Sequence, residues 1–267
     1  MIEQLLVEPG TEPGIARRDT RDMLGLGSKQ AGKERLREVG ERLAVLQRRL
    51  YAEAEHSVLV VLQGLDASGK DGVIKSVFSG LNPQGCRVTS FKAPTVTELA
   101  HDYLWRVQAN VPARGDIGIF NRSHYEDAVT VRVLGLAPEE VTDRRPGHIR
   151  EWERMLTDEG TSIVKVFLNV SKEEQRTRLQ ERIDNPEKRW KFDPGDLETR
   201  KRFDDFIAAY ERVLTATSTE WAPWHVVPAD RNWVKSLATA ELLLDALERI
   251  DPQVPDPMPG IEGLKVE

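Results

Sequence analysis

The sequence predicts an α/β fold in which a parallel central sheet is covered by helices on both faces. Two observations lead to this prediction. Apolar segments rich in β-branched residues alternate with longer segments of helical periodicity along most of the chain. Several of the shorter segments are continuously apolar, as is typical of strands that are buried on both faces. Strands that alternate with helices favour parallel pairing, because each helix carries the chain back to the start of the next strand.

The composition describes one large globular domain. The chain has 267 residues, a net charge of −6, 31% charged residues and 39% hydrophobic residues, and this balance disfavours a nucleic-acid partner. Its single cysteine, Cys86, excludes an internal disulfide and a cysteine metal cluster and favours a reducing compartment. We expect Cys86 in the core. The chain has neither an apolar run of about 18 residues nor a basic-then-apolar leader, so we expect a cytoplasmic protein without a membrane partner.

The N-terminal part divides into an arm and a helix. Residues 1–32 contain scattered proline and glycine without a sustained period, which predicts an irregular arm. Residues 33–55 carry one apolar stripe with a spacing of three and four, formed by Leu36, Val39, Leu43, Leu46 and Leu50. Such a stripe indicates a helix that packs on the domain or, alternatively, one that contacts another helix across an interface.

The remaining elements follow from periodicity, turn residues and caps. Ser171 with Glu174 three residues later matches the capping box that begins a helix. Residues 251–267 are rich in proline and are expected to form a tail, which leaves residues 33–250 as the main domain. The predicted strands are 58–63, 86–91, 116–123, 162–168 and 224–228, and the predicted helices are 73–78, 98–110, 124–134, 148–159, 172–183, 197–216 and 232–250.

A phosphate-binding loop is predicted between the first strand and the helix that follows it. Gly64, Gly69 and Lys70 have the spacing G-x-x-x-x-G-K. In such loops the glycines let backbone N–H groups converge on phosphate oxygens, and the lysine reaches the outer phosphates. The alternative is a turn whose glycines serve the turn alone. The residues expected to contact phosphate are Gly64, Ala67, Ser68, Gly69, Lys70 and Asp71.

The metal ligands expected for such a loop depart from the usual pattern. Asp71 stands where a serine or threonine usually binds Mg²⁺, so another ligand is required. Asp66 is the nearest carboxylate within the loop. Asn121, at the end of the strand 116–123, is a weaker candidate that would bind through its carbonyl oxygen. The expected ion is Mg²⁺, with Mn²⁺ as the alternative.

Arg122 follows Asn121 at the carboxyl end of the same strand, where open α/β sheets bind their ligands. Its planar guanidinium suits two-point contact with a phosphoryl group and can offset the charge of that group during transfer. Alternatively, Arg122 ties the strand to the following helix through a carboxylate such as Asp127.

A basic segment lies within this acidic chain. Residues 176–202 contain nine basic and six acidic residues. Arg178 and Arg182 are four residues apart and therefore share one helix face, while Lys188 and Lys191 lie in a turn-rich stretch after that helix. Facing the phosphate-binding loop, these residues would bind a polyanion. The alternative is a solvated helix with alternating charges.

Together these motifs resemble the polyphosphate kinase 2 family. The resemblance rests on residues 64–72 (GLDASGKDG), 121–127 (NRSHYED), Gln175 with Arg178, 184–192 (DNPEKRWKF) and 223–230 (PWHVVPAD). It implies a three-layer α/β/α P-loop kinase fold with a helical lid at about residues 182–202, and Mg²⁺-dependent transfer of a terminal phosphoryl group from inorganic polyphosphate to a nucleotide. It places Asp66 and Asn121 near metal and phosphates, Lys70 and Arg122 at phosphate, and Arg178, Lys188 and Lys191 near the lid. It also suggests a homo-oligomer such as a tetramer.

Glu126 bears on which nucleotide is the acceptor. The family's commoner form has Asn at this position, whereas Tyr125-Glu126-Asp127 resembles the subgroup that phosphorylates both AMP and ADP. Asn121, Arg122 and Glu126 are then the expected nucleotide-binding residues. Alternatively, Glu126 only meets the dipole at a helix N-terminus.

Two other functions fit a phosphate-binding loop. An ATP-dependent nucleoside or nucleotide monophosphate kinase has the same fold, but it needs no long basic lid. A GTPase-like switch is disfavoured because the chain has no Asn-Lys-x-Asp stretch for guanine recognition.

Overall fold

The computed structural model describes residues 1–261, 264 and 265. Its centre is a six-stranded sheet with the order β1-β6-β5-β2-β4-β3. Strands β2 to β6 pair in parallel, and β1 pairs antiparallel with β6 at one edge. The strands are β1 (Leu6–Val7), β2 (Ser57–Gln63), β3 (Cys86–Ser90), β4 (Ile117–Asn121), β5 (Thr161–Asn169) and β6 (Trp224–Pro228). The predicted α/β class with a parallel central sheet is confirmed.

Helices surround this sheet. They are α1 (Lys29–Glu53), α2 (Lys70–Phe78), α3 (Val96–Leu99), α4 (Trp105–Gln108), α5 (Thr130–Val133), α6 (Glu139–Asp158), α7 (Lys172–Asp184), α8 (Gly195–Lys201), α9 (Phe203–Thr217) and α10 (Asn232–Ile250). Short 3₁₀ turns include His124–Asp127 after β4 and Arg189–Lys191 between α7 and α8. Within the part of the chain that the structure describes, no helix is long and apolar enough to cross a membrane.

The sheet interior and the α1 stripe form the core. All seven residues of β2 are buried, as expected for a central parallel strand. Val39, Leu43 and Leu50 of α1 are fully buried, and α1 packs along α10. The prediction that the stripe packs on the domain is therefore confirmed, and its alternative use as an interface between chains is wrong for these three residues. Cys86 is only half-buried because β3 is the edge strand.

The N-terminal segment corrects the prediction of an irregular arm. Leu6–Val7 extends the sheet as its antiparallel edge strand, and Leu5, Val7 and Ile15 are buried. Helix α1 begins at Lys29, inside the predicted arm, where the Ser28 hydroxyl accepts a hydrogen bond from the Ala31 N–H. A strand of two residues is too short to show a period, so its burial could not be read from the sequence.

Several predicted helices have different limits. Helix α2 begins at Lys70 rather than at residue 73, and the segment 124–134 forms the 3₁₀ turn His124–Asp127 and the short helix α5 instead of one helix. The segment 98–110 forms two short helices, α3 and α4, and 197–216 is divided at Arg202 into α8 and α9. Helix α6 begins at Glu139, before the predicted 148, and it contains the buried Pro146. A proline usually ends a helix because it lacks an N–H donor, but the buried Pro146 lies inside α6. The last strand and the last helix agree with the prediction at both ends.

A buried ion pair supports the segment after β4. The Lys165 Nζ in β5 donates to Glu153 Oε2 (2.6 Å), to the Tyr125 hydroxyl (3.1 Å) and to the Thr217 carbonyl (2.7 Å). Lys165, Glu153 and Tyr125 are fully buried. Removing one partner of such a pair costs about 3–5 kcal/mol, so this network holds the 3₁₀ turn 124–127 in place.

Candidate active site

The predicted phosphate-binding loop joins β2 to α2 at the carboxyl edge of the sheet. Gly64 has a φ of 141°, and a Cβ there would lie 2.8 Å from the Leu168 carbonyl oxygen. Gly69 has a φ of 100°, and a Cβ there would lie 2.1 Å from the Lys235 Nζ. Both the backbone conformation and the space require glycine. The structure thus gives each glycine a steric reason to be there.

Lys70 is the first residue of α2, and its side chain folds back over the loop. Its Nζ donates to the Gly64 carbonyl (2.6 Å) and to the Leu65 carbonyl (3.3 Å). Burial, with the nearby Arg122 guanidinium, lowers the pKa of Lys70 to about 8, although Asp66 and Glu126 oppose this shift. A phosphate bound in the loop would favour the charged ammonium form.

Asp66 and Arg122 form an ion pair above the loop. The Arg122 Nη2 donates to Asp66 Oδ1, and its Nη1 lies 3.5 Å from Glu126 Oε2. Burial raises the pKa of Asp66, but the charges of Arg122 and Lys70 outweigh it and lower that pKa. Asp66 is therefore ionised. Arg122 has a left-handed backbone (φ 62°), a strained conformation that is common at functional sites.

Arg122 pairs with a carboxylate of the segment after its strand, as its alternative role predicts, but the partner is Glu126 and not Asp127. Asp127, the carboxylate suggested for that tie, lies instead near Arg106 (3.7 Å) and Arg145 (3.9 Å). Burial raises the pKa of Asp127 even though both arginines oppose this shift. The Arg122 guanidinium is thus directed at the two carboxylates of the loop region.

Glu126 lies next to the ion pair of Asp66 and Arg122. Its Oε2 accepts a hydrogen bond from the Thr130 hydroxyl (2.7 Å) and lies next to Arg122. It belongs to a 3₁₀ turn of only four residues. Because the helix dipole arises from many aligned peptides, so short a turn offers Glu126 little dipole energy. The Glu126 carboxylate is paired within the chain with Thr130 and Arg122, and its contact with a nucleotide stays a prediction.

The predicted lid lies over the loop. The Thr199 hydroxyl of α8 donates to Asp66 Oδ2 (3.2 Å), and the Lys191 Nζ lies 3.8 Å from Asp71 Oδ2. Arg182 at the end of α7 donates to Asp196 Oδ2 (3.1 Å). Lys188 pairs with Glu181 on the surface (3.5 Å). The structure therefore brings Lys191 and Arg182 closer to the loop region than Lys188.

Arg178 lies beneath the loop. Its guanidinium donates to four backbone carbonyls, those of Ala67, Ser68, Ala229 and Asp230, at 2.8–3.0 Å. Its Nε donates to Glu174 (2.9 Å). Every nitrogen of this guanidinium is therefore bound to the protein, and its predicted contact with polyphosphate would have to replace these bonds.

The donor set suits a Mg²⁺ ion that is shared with a phosphate ligand. The described residues hold no group of three His, Cys, Asp or Glu side chains that could bind a metal by themselves. Mg²⁺ is usually held by one or two carboxylates together with substrate phosphates, and Asp66 is ionised at the loop. Asn121 donates its Nδ2 to Asp71 Oδ1 (2.8 Å), which leaves its carbonyl oxygen for a cation.

Comparison with known proteins decides the family. The family described as Polyphosphate kinase 2 matches residues 27–255. The chain belongs to the polyphosphate kinase 2 family. It is 52% identical to the AMP/ADP-polyphosphate phosphotransferase of Meiothermus ruber over 267 residues, which is all of both chains. It is 46% identical to the ADP-polyphosphate phosphotransferase of Rhodopseudomonas palustris, over 87% of this chain and 85% of that protein.

A solved structure of the same family supports the fold. The crystal structure of Polyphosphate Kinase 2 from Arthrobacter aurescens TC1 superposes with a TM-score of 0.92 at 43% identity. It covers 96% of this chain and 92% of that chain. The resemblance noted in the sequence is confirmed, and so is the three-layer kinase fold that it implied.

Three residues at this polyphosphate kinase 2 site were missed in the sequence. Thr199 contacts Asp66, and Lys235 donates to the Ser68 carbonyl (2.7 Å). Burial raises the pKa of Asp196, and the nearby negative charge of Asp66 raises that pKa further. Asp196 and Thr199 were within the predicted lid. Lys235 interrupts the apolar pattern of a buried helix face, which was the one available signal.

Proposed function

We propose that this protein transfers the terminal phosphoryl group of inorganic polyphosphate to AMP and to ADP, with Mg²⁺. The observation that carries the proposal is the convergence of Lys70, Arg122 and Asp66 at one edge of the sheet, beneath a lid that contributes Lys191. The names of the relatives from Meiothermus ruber and Rhodopseudomonas palustris support the donor and both acceptors.

In this proposal the donor phosphates bind the loop and the first turn of α2, whose N–H groups have no partners within the helix. Lys70 leaves the Gly64 carbonyl to contact the terminal phosphates. Arg122 can exchange its ion pair with Asp66 for the phosphoryl group in transfer. Asp66, assisted by Asn121, would hold Mg²⁺, which neutralises the developing charge on phosphate oxygens.

The reaction itself needs positioning more than covalent chemistry. A phosphate oxygen of the acceptor attacks the terminal phosphorus of polyphosphate, and the bond from that phosphorus to the bridging oxygen breaks. The electron pair of that bond stays with the shortened polyphosphate. Arg122 and Lys70 stabilise the charge on the transferred group, and the lid excludes water that would otherwise hydrolyse it.

A cavity borders the 3₁₀ turn 124–127 through Asp127. It has a volume of about 330 Å³, and its lining includes Tyr103, Arg106, Asp127, Arg145 and His148. Asp127 directly follows Glu126 in the 3₁₀ turn. None of Asp66, Lys70, Arg122 and Glu126 lines this cavity, so it does not assign the acceptor site.

The test of the proposed function is an assay without ATP. Purified protein, Mg²⁺ and polyphosphate should convert AMP to ADP and ADP to ATP. Formation of ADP from AMP only when ATP is the donor would support the monophosphate kinase instead. The same preparation, measured by light scattering, tests the homo-oligomer that we also propose.

Glu126→Asn should change the choice of acceptor. We expect kcat/KM for AMP to fall about tenfold relative to that for ADP, because loss of one hydrogen bond to a charged group costs about 1.5 kcal/mol. Steady-state assays with each nucleotide at saturating polyphosphate measure this ratio.

Glu140→Asn is the matched control for Glu126→Asn. Glu140 is exposed in the first turn of α6. The substitution therefore removes an acidic residue from the start of a helix outside the phosphate-binding loop. If both variants leave the AMP-to-ADP ratio unchanged, Glu126 does not select the acceptor.

Lys191→Ala should weaken polyphosphate binding. Lys191 faces Asp71 across the cleft, so we expect the KM for polyphosphate to rise about tenfold, since a charged hydrogen bond is worth about 1.5 kcal/mol. The KM for nucleotide should change little. Lys201→Ala is the control, because Lys201 is exposed and pairs with Glu198 on the outside of α8. Equal effects of the two variants would indicate a general charge effect of the lid.

A further inference from the structure

Lys235 is a buried lysine that the proposed mechanism does not use. It lies in the first turn of α10, and only 1% of it is exposed. Its Nζ donates to the Ser68 carbonyl (2.7 Å) and to the Ala229 carbonyl (3.4 Å). A buried ammonium group is costly, so its position under the phosphate-binding loop calls for a physical reason.

Arg178 binds the same carbonyl from the same side. Its Nη1 donates to the oxygens of Ala67 (3.0 Å) and Ser68 (2.9 Å), and its Nη2 donates to that of Ala229 (2.8 Å). Two cations from two different helices therefore meet at the Ser68 carbonyl. The Lys235 ammonium group fills the space next to Gly69, because a Cβ on Gly69 would lie 2.1 Å from the Lys235 Nζ.

The orientation of one peptide group follows from these contacts. The peptide between Ser68 and Gly69 is planar and trans, so its N–H points opposite to its carbonyl. With the carbonyl turned toward Lys235, the Gly69 N–H points away from it, at the start of α2. Helix starts of this kind present free N–H groups to anions.

We propose that Lys235 is a positioning residue for donor binding, because its ammonium group and the Arg178 guanidinium hold the Ser68–Gly69 peptide with its N–H directed at the bound phosphate. The proposal rests on the proposed function, which supplies polyphosphate as the ligand of the loop. Lys235 acts through the backbone and does not touch the reacting atoms.

This role makes donor binding depend on pH. The charged groups that face Lys235 are Arg178 and Glu174 on α7, Asp230 before α10 and Lys70 on α2. Burial lowers the pKa of Lys235 to about 7, with help from Arg178 and Lys70 and against Glu174 and Asp230. A bound polyanion favours the ammonium form, so the pKa is higher in the complex. Affinity for the donor should therefore fall as pH rises above about 7, by up to about tenfold per pH unit.

The experiment is calorimetric titration of the full chain with inorganic tripolyphosphate from pH 6 to 9. The variants are Lys235→Arg, which keeps the charge at every pH, and Lys235→Met, which removes it. We expect the affinity of the wild type to fall more steeply above pH 7 than that of Lys235→Arg. Lys235→Met should bind about tenfold more weakly than the wild type at pH 6, and its decline should match that of Lys235→Arg. The KM for nucleotide should stay the same in both variants.

Tripolyphosphate itself titrates in this range, but it does so equally for every variant. Ser236→Ala is the control for disturbance of α10, because Ser236 is the buried neighbour of Lys235; it should keep the wild-type pH profile. If Lys235→Met does not fold, Lys235→Arg alone decides, since a decline equal to that of the wild type overturns the inference. No binding of tripolyphosphate by the wild type would contradict the proposed function as well.

Discussion

Lys70→Ala should reduce kcat/KM by about a hundred- to a thousand-fold, the loss seen when one preorganised group that stabilises transition-state charge is removed. The Lys70 side chain crosses the phosphate-binding loop, where its Nζ donates to the Gly64 and Leu65 carbonyls. The fold should persist, because burial already disfavours the charged form of this side chain. Steady-state kinetics with polyphosphate and ADP, together with thermal unfolding, measure both effects.

The control for Lys70→Ala is Lys75→Ala. Lys75 is exposed in the last turn of the same helix, so this variant removes an equal charge outside the loop and should keep nearly full activity. Turnover near the wild-type value in a folded Lys70→Ala protein would contradict the proposal that this loop binds the polyphosphate donor.

Asp66→Asn should cost about as much, on the order of a thousand-fold in kcat, since a metal-bound carboxylate supports several kcal/mol of charge stabilisation. The substitution keeps the shape of the side chain and the ion pair between Arg122 and Glu126, but the amide can accept only one of the two hydrogen bonds that Arg122 and Thr199 donate to Asp66. It removes the charge that would hold Mg²⁺. Titration of activity with Mg²⁺ should show a large rise in the concentration required.

A direct readout separates metal binding from other losses. Electron paramagnetic resonance should detect Mn²⁺ bound to the wild type with tripolyphosphate, and much less bound to Asp66→Asn. Asp205→Asn on α9, where Asp205 is exposed and pairs with Arg202, is the matched charge control. Unchanged Mn²⁺ binding by Asp66→Asn would remove Asp66 from the metal site. Activity of the wild type in excess chelator would contradict the metal requirement altogether.

Much of the fold could be predicted because its signals are local. The strand Trp224–Pro228 and the helix Asn232–Ile250 agree with the prediction at both ends, since an apolar run, a proline and a helical period lie within a few residues of each other. The edge strand Leu6–Val7 could not be predicted, because it pairs with β6, which lies more than 200 residues later in the chain.

The candidate site shows the same division. The glycine spacing, Lys70 and the polar end of β4 are short patterns, and from them the sequence predicted that Lys70, Asp66 and Arg122 lie at one edge of the sheet, where the structure brings them together. Only the tertiary structure decided the partners of the basic residues. Arg178 binds carbonyls beneath the loop, whereas Lys191 faces Asp71 above it.

The physical reason is that a charge pattern gives the number of cations but not what each of them meets. Lys235 and Ser68 are 167 residues apart in the sequence, yet their atoms are 2.7 Å apart. Such a contact depends on how α10 packs beside the loop, and no local period contains that information. The sequence determined the sheet, the loop and the family, and the packing of α7, α8 and α10 around the loop determined which charges lie above it and which lie below.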